Sequence, residues 1–213
     1  MKNLIDLTIF LLLQYLFTTI ILINLYQGGS YFHPETANFV LYQNYLSDLG
    51  RSYYYNGKVN LFWSLYSATL FLVAIGTVLF FYILSRMVLK KRTLIVFFGL
   101  LSGIGFLGVS FYLVDTDFSY HILSGRLAYV SFLLGSLTTM VNWKKIHYPN
   151  VYLWLMILNF FLFGYLVMLF VMPPSFENEF FLAIRTVSQK IIVFIQILIA
   201  SLILFKLKVY VRV

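Results

Sequence analysis

Long apolar segments separated by short polar stretches make up most of this chain. A helix needs about 20 residues to cross a hydrocarbon core about 30 Å thick, and six apolar segments approach that length. The pattern predicts an all-α fold, a polytopic transmembrane helical bundle of six spans that forms a single domain over residues 1–213. We expect the spans at residues 4–25, 62–84, 93–114, 122–142, 151–172 and 180–205.

Composition strengthens the membrane assignment. The 213 residues are 62% hydrophobic and only 10% charged, whereas soluble domains carry about 25% charged residues. The net charge of +8 comes from short basic clusters between apolar segments and not from one continuous stripe, so we expect no nucleic-acid partner. The absence of cysteine excludes disulfides, thiolate catalysis and cysteine-ligated metals.

The basic clusters also predict an orientation. Cytoplasmic loops of membrane proteins are enriched in Lys and Arg, and ten of the fifteen cations here fall on the side that holds both termini. We therefore expect a multi-pass protein of the cell membrane with cytoplasmic N- and C-termini. Six of the seven acids fall on the opposite side, leaving only Asp6. The ten cations are Lys2, Arg86, Lys90, Lys91, Arg92, Lys144, Lys145, Lys206, Lys208 and Arg212.

The first external loop, residues 27–60, is long and rich in tyrosine. Tyrosine favours the headgroup level, where its ring is apolar and its hydroxyl is hydrated. Pro34 suits the first position of a helix, apolar residues follow at helical spacing, and Gly50 supplies a stop. This pattern predicts a short amphipathic helix lying at the membrane interface. The alternative is an irregular structured loop that covers the bundle.

The third and fourth spans carry small residues at close intervals. Small residues allow the backbones of two transmembrane helices to approach closely, and only the turn 115–121 separates these spans. We expect a tightly packed antiparallel hairpin. The small residues are Gly99, Gly103, Gly105 and Gly108 on one helix and Ser124, Ala128, Ser131 and Gly135 on the other.

Two spans include cations near their external ends. Arg126 precedes seventeen uncharged residues, and the uncharged part of the last span is too short to cross a bilayer unless its helix extends outward through Lys190 and Arg185. Charged groups at such depth tend to face the bundle interior or to pair with acids. Arg185, Gln189 and Gln196 share one helical face, which predicts a polar stripe turned away from lipid. Snorkelling of the two cations to the interface is the alternative.

Acids and a histidine lie in the loops facing these cations. Asp115, Asp117 and His121 fall in one tight turn, and Asp48 follows Ser47 in the long loop. Carboxylates with an imidazole can bind a divalent metal or act as an acid–base pair. The same residue types also suit turns and helix caps, with Asp117 or Ser119 capping the fourth span and Asp115 pairing with Arg126.

Two parts of this pattern carry a resemblance. The segment Tyr45-Leu46-Ser47-Asp48-Leu49-Gly50 after the first span, and a glycine-rich third span leading into Asp115 and His121, resemble the prokaryotic membrane family catalogued as domain of unknown function 998. The resemblance implies a six-helix bundle and carries no established activity. More loosely, the chain is similar to the alkaline-ceramidase-like hydrolases, which are seven-helix zinc enzymes with three histidine ligands. Six spans and two external histidines depart from that pattern.

These observations favour a non-catalytic membrane protein that binds a lipid headgroup or a partner subunit through a polar pocket in the outer leaflet. The alternative is a membrane-embedded lipid hydrolase in which His121, Asp48 and Asp115 activate water. No cofactor is predicted for the binding protein, and a divalent metal is an option for the hydrolase alone. The expected ligand-binding residues are Asp48, Asp115, Asp117, His121, Arg126, Arg185, Gln189 and Lys190.

Overall fold

The structure is a computed structural model that describes residues 1–143, 149–171 and 178–210. Four of the charged residues used to predict orientation lie outside these ranges, as does the predicted end of the fifth span at Met172. The four residues are Lys144, Lys145, Glu177 and Arg212.

Six α-helices dominate the described residues, and all six are long and apolar enough to cross a membrane. No strand is formed in these ranges, where the nearest feature is an isolated antiparallel bridge between Tyr53 and Val59. The predicted all-α fold with six candidate membrane spans is therefore confirmed. The helices are α1 (Lys2–Leu25), α2 (Trp63–Met87), α3 (Arg92–Phe111), α4 (Phe118–Asn142), α5 (Pro149–Val171) and α6 (Glu179–Tyr210).

The helix ends differ from the predicted spans where polar residues continue a helix beyond its apolar part. α4 begins at Phe118, four residues before the predicted start, because the segment before Arg126 is already helical. α6 contains 32 residues, about 48 Å at 1.5 Å per residue, and so exceeds the hydrocarbon thickness. It carries Arg185 and Lys190 on continuous helix, as their position before a short apolar stretch predicts.

The helices form a ring. Each packs against its neighbours in sequence, and α6 also contacts α1, where Lys208 donates to Asp6. The interior is apolar and aromatic: Phe81 and Phe132 are buried with ring centroids 4.9 Å apart. Other aromatic side chains, such as Phe160 at 74% exposure, face outward. Such exposure is expected where lipid, and not water, surrounds the protein.

The glycines of α3 serve two interfaces, not the one that the sequence predicts. Gly99 and Gly103 approach α2, where an added Cβ on each would lie 2.5 Å from Phe81 and Val78 side-chain atoms respectively. Gly105 faces α4, where its added Cβ would lie 2.4 Å from the Ala128 amide nitrogen. Four-residue spacing therefore predicted close packing correctly but assigned Gly99 and Gly103 to the wrong neighbour, because successive glycines on one helix point in different directions.

The predicted amphipathic helix beginning at Pro34 is not formed. Residues 34–45 are irregular, with turns at Pro34–Glu35 and Leu41–Gln43, and the only helical part of the loop is a short 3₁₀ helix, Leu46–Gly50, all of whose residues are buried. The side chain of the buried Asn44 accepts from the Val40 amide at 2.8 Å and donates to the Gly29 carbonyl at 2.9 Å. Asn side chains that bond to the backbone in this way compete with helix formation. The loop instead inserts into one end of the helical ring.

Candidate functional site

A cavity of about 480 Å³ occupies the centre of the ring. All six helices and the inserted loop contribute to its lining. Its volume lies within the range of about 300–1,000 Å³ that is usual for ligand pockets. Six of the eight predicted ligand-binding residues line it, and they are Asp48, Asp115, His121, Arg126, Arg185 and Gln189.

Asp48 lies at the end of the cavity that the loop covers. It is 1% exposed, and its carboxylate accepts from the Tyr45 amide at 2.8 Å and from the Tyr55 hydroxyl at 3.1 Å. Burial raises the pKa of this carboxyl above its ordinary value, against the opposing effects of Arg51 and these hydrogen bonds. Asp48 therefore stabilises the loop through buried hydrogen bonds, and its protonation is coupled to the folding of the loop.

Arg51 and Tyr55 extend the same end of the cavity. The Arg51 guanidinium lies 4.1 Å from the Tyr55 ring centroid, a cation–π distance, and its Nε donates to the Tyr53 carbonyl at 3.1 Å. Burial raises the pKa of Tyr55, and the nearby Asp48 carboxylate adds to the shift. The Tyr55 hydroxyl is thus kept as a neutral donor toward Asp48.

Asp115 binds the loop and does not pair with Arg126. Its Oδ2 accepts from the Ser52 amide at 2.9 Å, the Ser52 hydroxyl at 2.7 Å and the Tyr53 amide at 3.1 Å. The predicted Asp115–Arg126 ion pair is therefore wrong. Three donors already engage this oxygen, so Asp115 joins the α3–α4 turn to the loop.

Arg126 lines the cavity, and no acid among the described residues forms an ion pair with it. Its guanidinium lies 5.3 Å from the Phe170 ring centroid, and its buried Nε has no hydrogen-bond partner among the described residues. Buried polar groups are nearly always hydrogen-bonded, so an unpaired guanidinium nitrogen marks an open position for an acceptor.

Arg185 on α6 is the second such cation, only 9% exposed. Tyr45 is its nearby polar neighbour: burial raises the Tyr45 pKa, and hydrogen bonding and charge from Arg185 act in the opposite direction. In residues 1–143, 149–171 and 178–210, no carboxylate oxygen lies within 4.0 Å of either Arg126 or Arg185. The cavity therefore contains two guanidinium groups that no acid among these described residues pairs with.

Gln189 and Lys190 fasten the loop to α6. Gln189 accepts from the Leu46 amide at 2.8 Å, and Lys190 donates to the Asn44 carbonyl at 2.5 Å. Gln189 still lines the cavity, whereas Lys190 does not. Lys190 therefore neither snorkels to the interface nor belongs to the cavity: it binds backbone carbonyls, including that of Thr186 one turn earlier.

His121 has a defined tautomer. Its Nδ1 lies 2.7 Å from the Tyr112 carbonyl, which can only accept, so Nδ1 carries the proton and Nε2 is left as an acceptor in the neutral ring. Asp117, by contrast, is exposed at the start of α4, accepts only from the adjacent Thr116 and makes no capping hydrogen bond. In the part of the chain that is described, no three His, Cys, Asp or Glu side chains are grouped as metal ligands would be.

Away from this charged end the cavity becomes mostly apolar, with a few hydroxyls and the buried Gln196 amide. Tyr15 and Tyr66 meet with their hydroxyl oxygens 3.0 Å apart, and both line the wall. The hydroxyl of Thr77 is buried and unpaired among the described residues. The apolar lining consists mainly of Leu12, Leu70, Val73, Phe80, Phe106, Phe132, Val193, Ile197 and Ala200.

The sequence does not predict several of the residues that line the cavity. Arg51, Tyr45 and Tyr55 lie in the loop, whose tyrosines suggest only interfacial position, and the loop's insertion into the ring is not encoded in any local pattern. Tyr129 and Tyr165 offered a usable signal, because each places a hydroxyl well inside an otherwise apolar span. Their rings pack with centroids 5.0 Å apart on the cavity wall.

Comparisons of this chain with protein-family models, with curated proteins and with solved structures gave no match. The resemblance to the domain of unknown function 998 therefore stays a prediction from Tyr45–Gly50, Asp115 and His121.

Proposed function

We propose that this multi-pass membrane protein is a non-catalytic binding protein that holds an anionic lipid headgroup at the charged end of its central cavity. The observation that carries the proposal is the pair Arg126 and Arg185, which line the cavity and have no carboxylate oxygen within 4.0 Å in the described part of the chain. A guanidinium in a low-dielectric site is costly unless an anion accompanies it. Carboxylate and phosphate groups match its planar donors.

The carboxylates of the site support this assignment. Asp48 and Asp115 accept hydrogen bonds from amide and hydroxyl donors of the loop, and within the described residues neither lies within 4.0 Å of the two arginines. The cavity contains three arginines and two aspartates, and an anion would balance the excess positive charge. A partner subunit presenting a carboxylate would satisfy the same cations, but the apolar remainder of the cavity favours a lipid.

We further propose that the loop end of the bundle faces outward from the cell membrane, with both termini cytoplasmic. The basis is the excess of Lys and Arg at the opposite end, at the α2–α3 turn and near both termini. In this orientation Arg126 and Arg185 lie at the level of the outer leaflet.

The experiment that tests the binding proposal compares anionic lipid retained through purification. Arg126→Gln and Arg185→Gln should each lower the anionic lipid per protein measured by mass spectrometry, and the double variant should lower it most. Arg86→Gln, an exposed cation near the far end of α2, is the matched control and should leave it unchanged. Equal lipid content in the double variant and the unchanged protein would contradict the proposal. Release of a protein instead of a lipid would favour the partner subunit.

A lipid hydrolase is the second candidate, favoured by His121, which lines the cavity with Nε2 left as an acceptor. The hydrolase should cleave ester lipids in reconstituted membranes, and His121→Gln should abolish cleavage while lipid content persists. Sensitivity of the cleavage to a chelator would assign a divalent metal to it. Absence of cleavage by the unchanged protein across ester and amide lipids would contradict this candidate.

A further inference from the structure

The lining of the central cavity extends along the bundle axis. Along α6 its lining runs from Arg185 to Ala200, about 22 Å at 1.5 Å per residue, whereas a sphere of the same volume would be only about 10 Å across. Along α2 it runs from Tyr66 to Phe80, which is about 21 Å. Two helices on different sides of the ring therefore give the same extent, parallel to the bundle axis.

The chemistry of the lining changes along this length. Arg126 and Arg185 lie toward the end that the loop covers, and the side chains farthest along α2, α4 and α6 are Phe80, Phe132 and Ala200. A ligand that satisfies both ends is an amphiphile with its anionic group at the loop and its apolar part along the axis. Burial of that apolar part would supply most of the binding free energy.

Resting on the proposed function, we infer that the ligand is a single-chain amphiphile, with one carboxylate or phosphate group and one extended hydrocarbon chain that reaches toward Ala200. The elongated shape suits one chain lying parallel to the helices. A diacyl lipid would need room for two such chains side by side, so it is the competing ligand. The headgroup meets Arg126 and Arg185, and the end of the chain lies among Phe80, Phe132 and Ala200.

The test measures binding of alkyl carboxylates and alkyl phosphates of increasing length to the full chain in nanodiscs of neutral diacyl lipid. Affinity should rise about fourfold per added methylene, corresponding to about 0.8 kcal/mol, and should level off once the chain fills the cavity. Ala200→Phe should lower the length at which affinity levels off and leave the affinity of short chains unchanged. Leu198→Phe is the matched control, since Leu198 is 48% exposed on the same helix and does not line the cavity.

Val73→Phe, on α2, should shorten the preferred chain in the same way. It keeps the test valid if Ala200→Phe fails to fold. Affinity that does not depend on chain length, equal behaviour of Ala200→Phe, Val73→Phe and the control, or equal binding of inorganic phosphate alone would overturn the single-chain ligand. Full displacement by a diacyl phosphatidate at equal concentration would overturn it too. These outcomes differ from failure of the proposed function, in which no alkyl anion binds and Arg126→Gln and Arg185→Gln have no effect. The alkyl phosphate and carboxylate series distinguish the two headgroups.

Discussion

At the scale of single residues, Asp115 shows how a charged group can act on a distant segment. Its carboxylate lies in the α3–α4 turn and accepts three hydrogen bonds from Ser52 and Tyr53 of the loop. Hydrogen bonds to a charged group contribute about 1.5–3 kcal/mol each. Asp115 is half-buried, so water can replace part of what the donors lose, and Asp115→Ala should lower the free energy of unfolding by about 2–3 kcal/mol, less than the sum of the three bonds, measured by denaturation in detergent.

Two variants make this prediction specific. Asp117→Ala, two residues away and exposed, should change stability by less than about 0.5 kcal/mol. Adding Arg126→Ala to Asp115→Ala should recover none of the loss, because the two side chains form no ion pair. If the double variant regained stability, Asp115 and Arg126 would interact as the sequence predicts, which would contradict the geometry of the turn.

Asp48 gives the loop a pH dependence. Its folded-state pKa is raised by burial, so the unfolded chain ionises first as pH rises above the ordinary value of 3.8. The unfolding free energy should then decrease with rising pH, from about 3.8 up to the folded-state pKa, and remain flat below. Asp48→Asn lacks this titration, so the melting temperature of the unchanged protein should fall relative to this variant as the pH rises above about 4. A constant difference across that range would show that Asp48 ionises normally in the fold.

The sequence located most of the cavity's charged residues for a physical reason. A cation such as Arg126 or Arg185 beside a long apolar stretch must either reach the interface or face the interior. The sequence could not decide what each charge contacts. Asp115 bonds to a loop more than sixty residues earlier in the chain, and Lys190 bonds to the carbonyl of Asn44, so both contacts depend on how the loop inserts.

At the scale of helices, α3 is held by glycines that face two neighbours. A Cβ on Gly105 would lie 2.4 Å from the Ala128 amide nitrogen and 2.6 Å from its Cα, and backbone atoms cannot move aside without separating α3 from α4. Gly105→Ala should therefore lower stability by about 1–3 kcal/mol, measured as thermal unfolding in detergent.

Gly164→Ala, on α5, is the control for this substitution. No heavy atom of the described residues lies within 4 Å of its added Cβ, so the change should be neutral or stabilising by up to about 1 kcal/mol through helix propensity. If Gly105→Ala behaved like Gly164→Ala, α3 and α4 would not pack as closely as the structure has them.

The helices were predictable to within a few residues because the bilayer sets their length and excludes charge. The loop was not, because helical spacing of apolar residues around Val40 and Leu49 carries no information on competing side chains. Asn44 occupies the Val40 amide and the Gly29 carbonyl. A polar residue that satisfies backbone groups across the loop prevents the helix that periodicity alone favours.

At the scale of the whole molecule, the distribution of charge between the two ends of the bundle matters more than any single pair. Arg86, Lys90 and Lys91 lie at the α2–α3 turn, and Lys208 and Asp6 meet where the two termini approach. The opposite end contains the loop, Asp48 and Asp115. This asymmetry connects the proposed outer-leaflet ligand to topology, since the charged end of the cavity lies on whichever side the loop faces.

The orientation can be tested directly because the 213 residues contain no cysteine, so each introduced cysteine is the only thiol. Ser119 is exposed at the loop end of α4, and Thr93 is exposed at the opposite end, at the start of α3. In intact cells, a membrane-impermeant thiol reagent should label Ser119→Cys and leave Thr93→Cys unlabelled until the membrane is permeabilised. Asn150→Cys, at the start of α5, should behave like Thr93→Cys. The reverse pattern would place the termini outside and the arginine pair in the inner leaflet. Labelling of Ser119→Cys and Asn150→Cys from the same side would contradict the six-span arrangement.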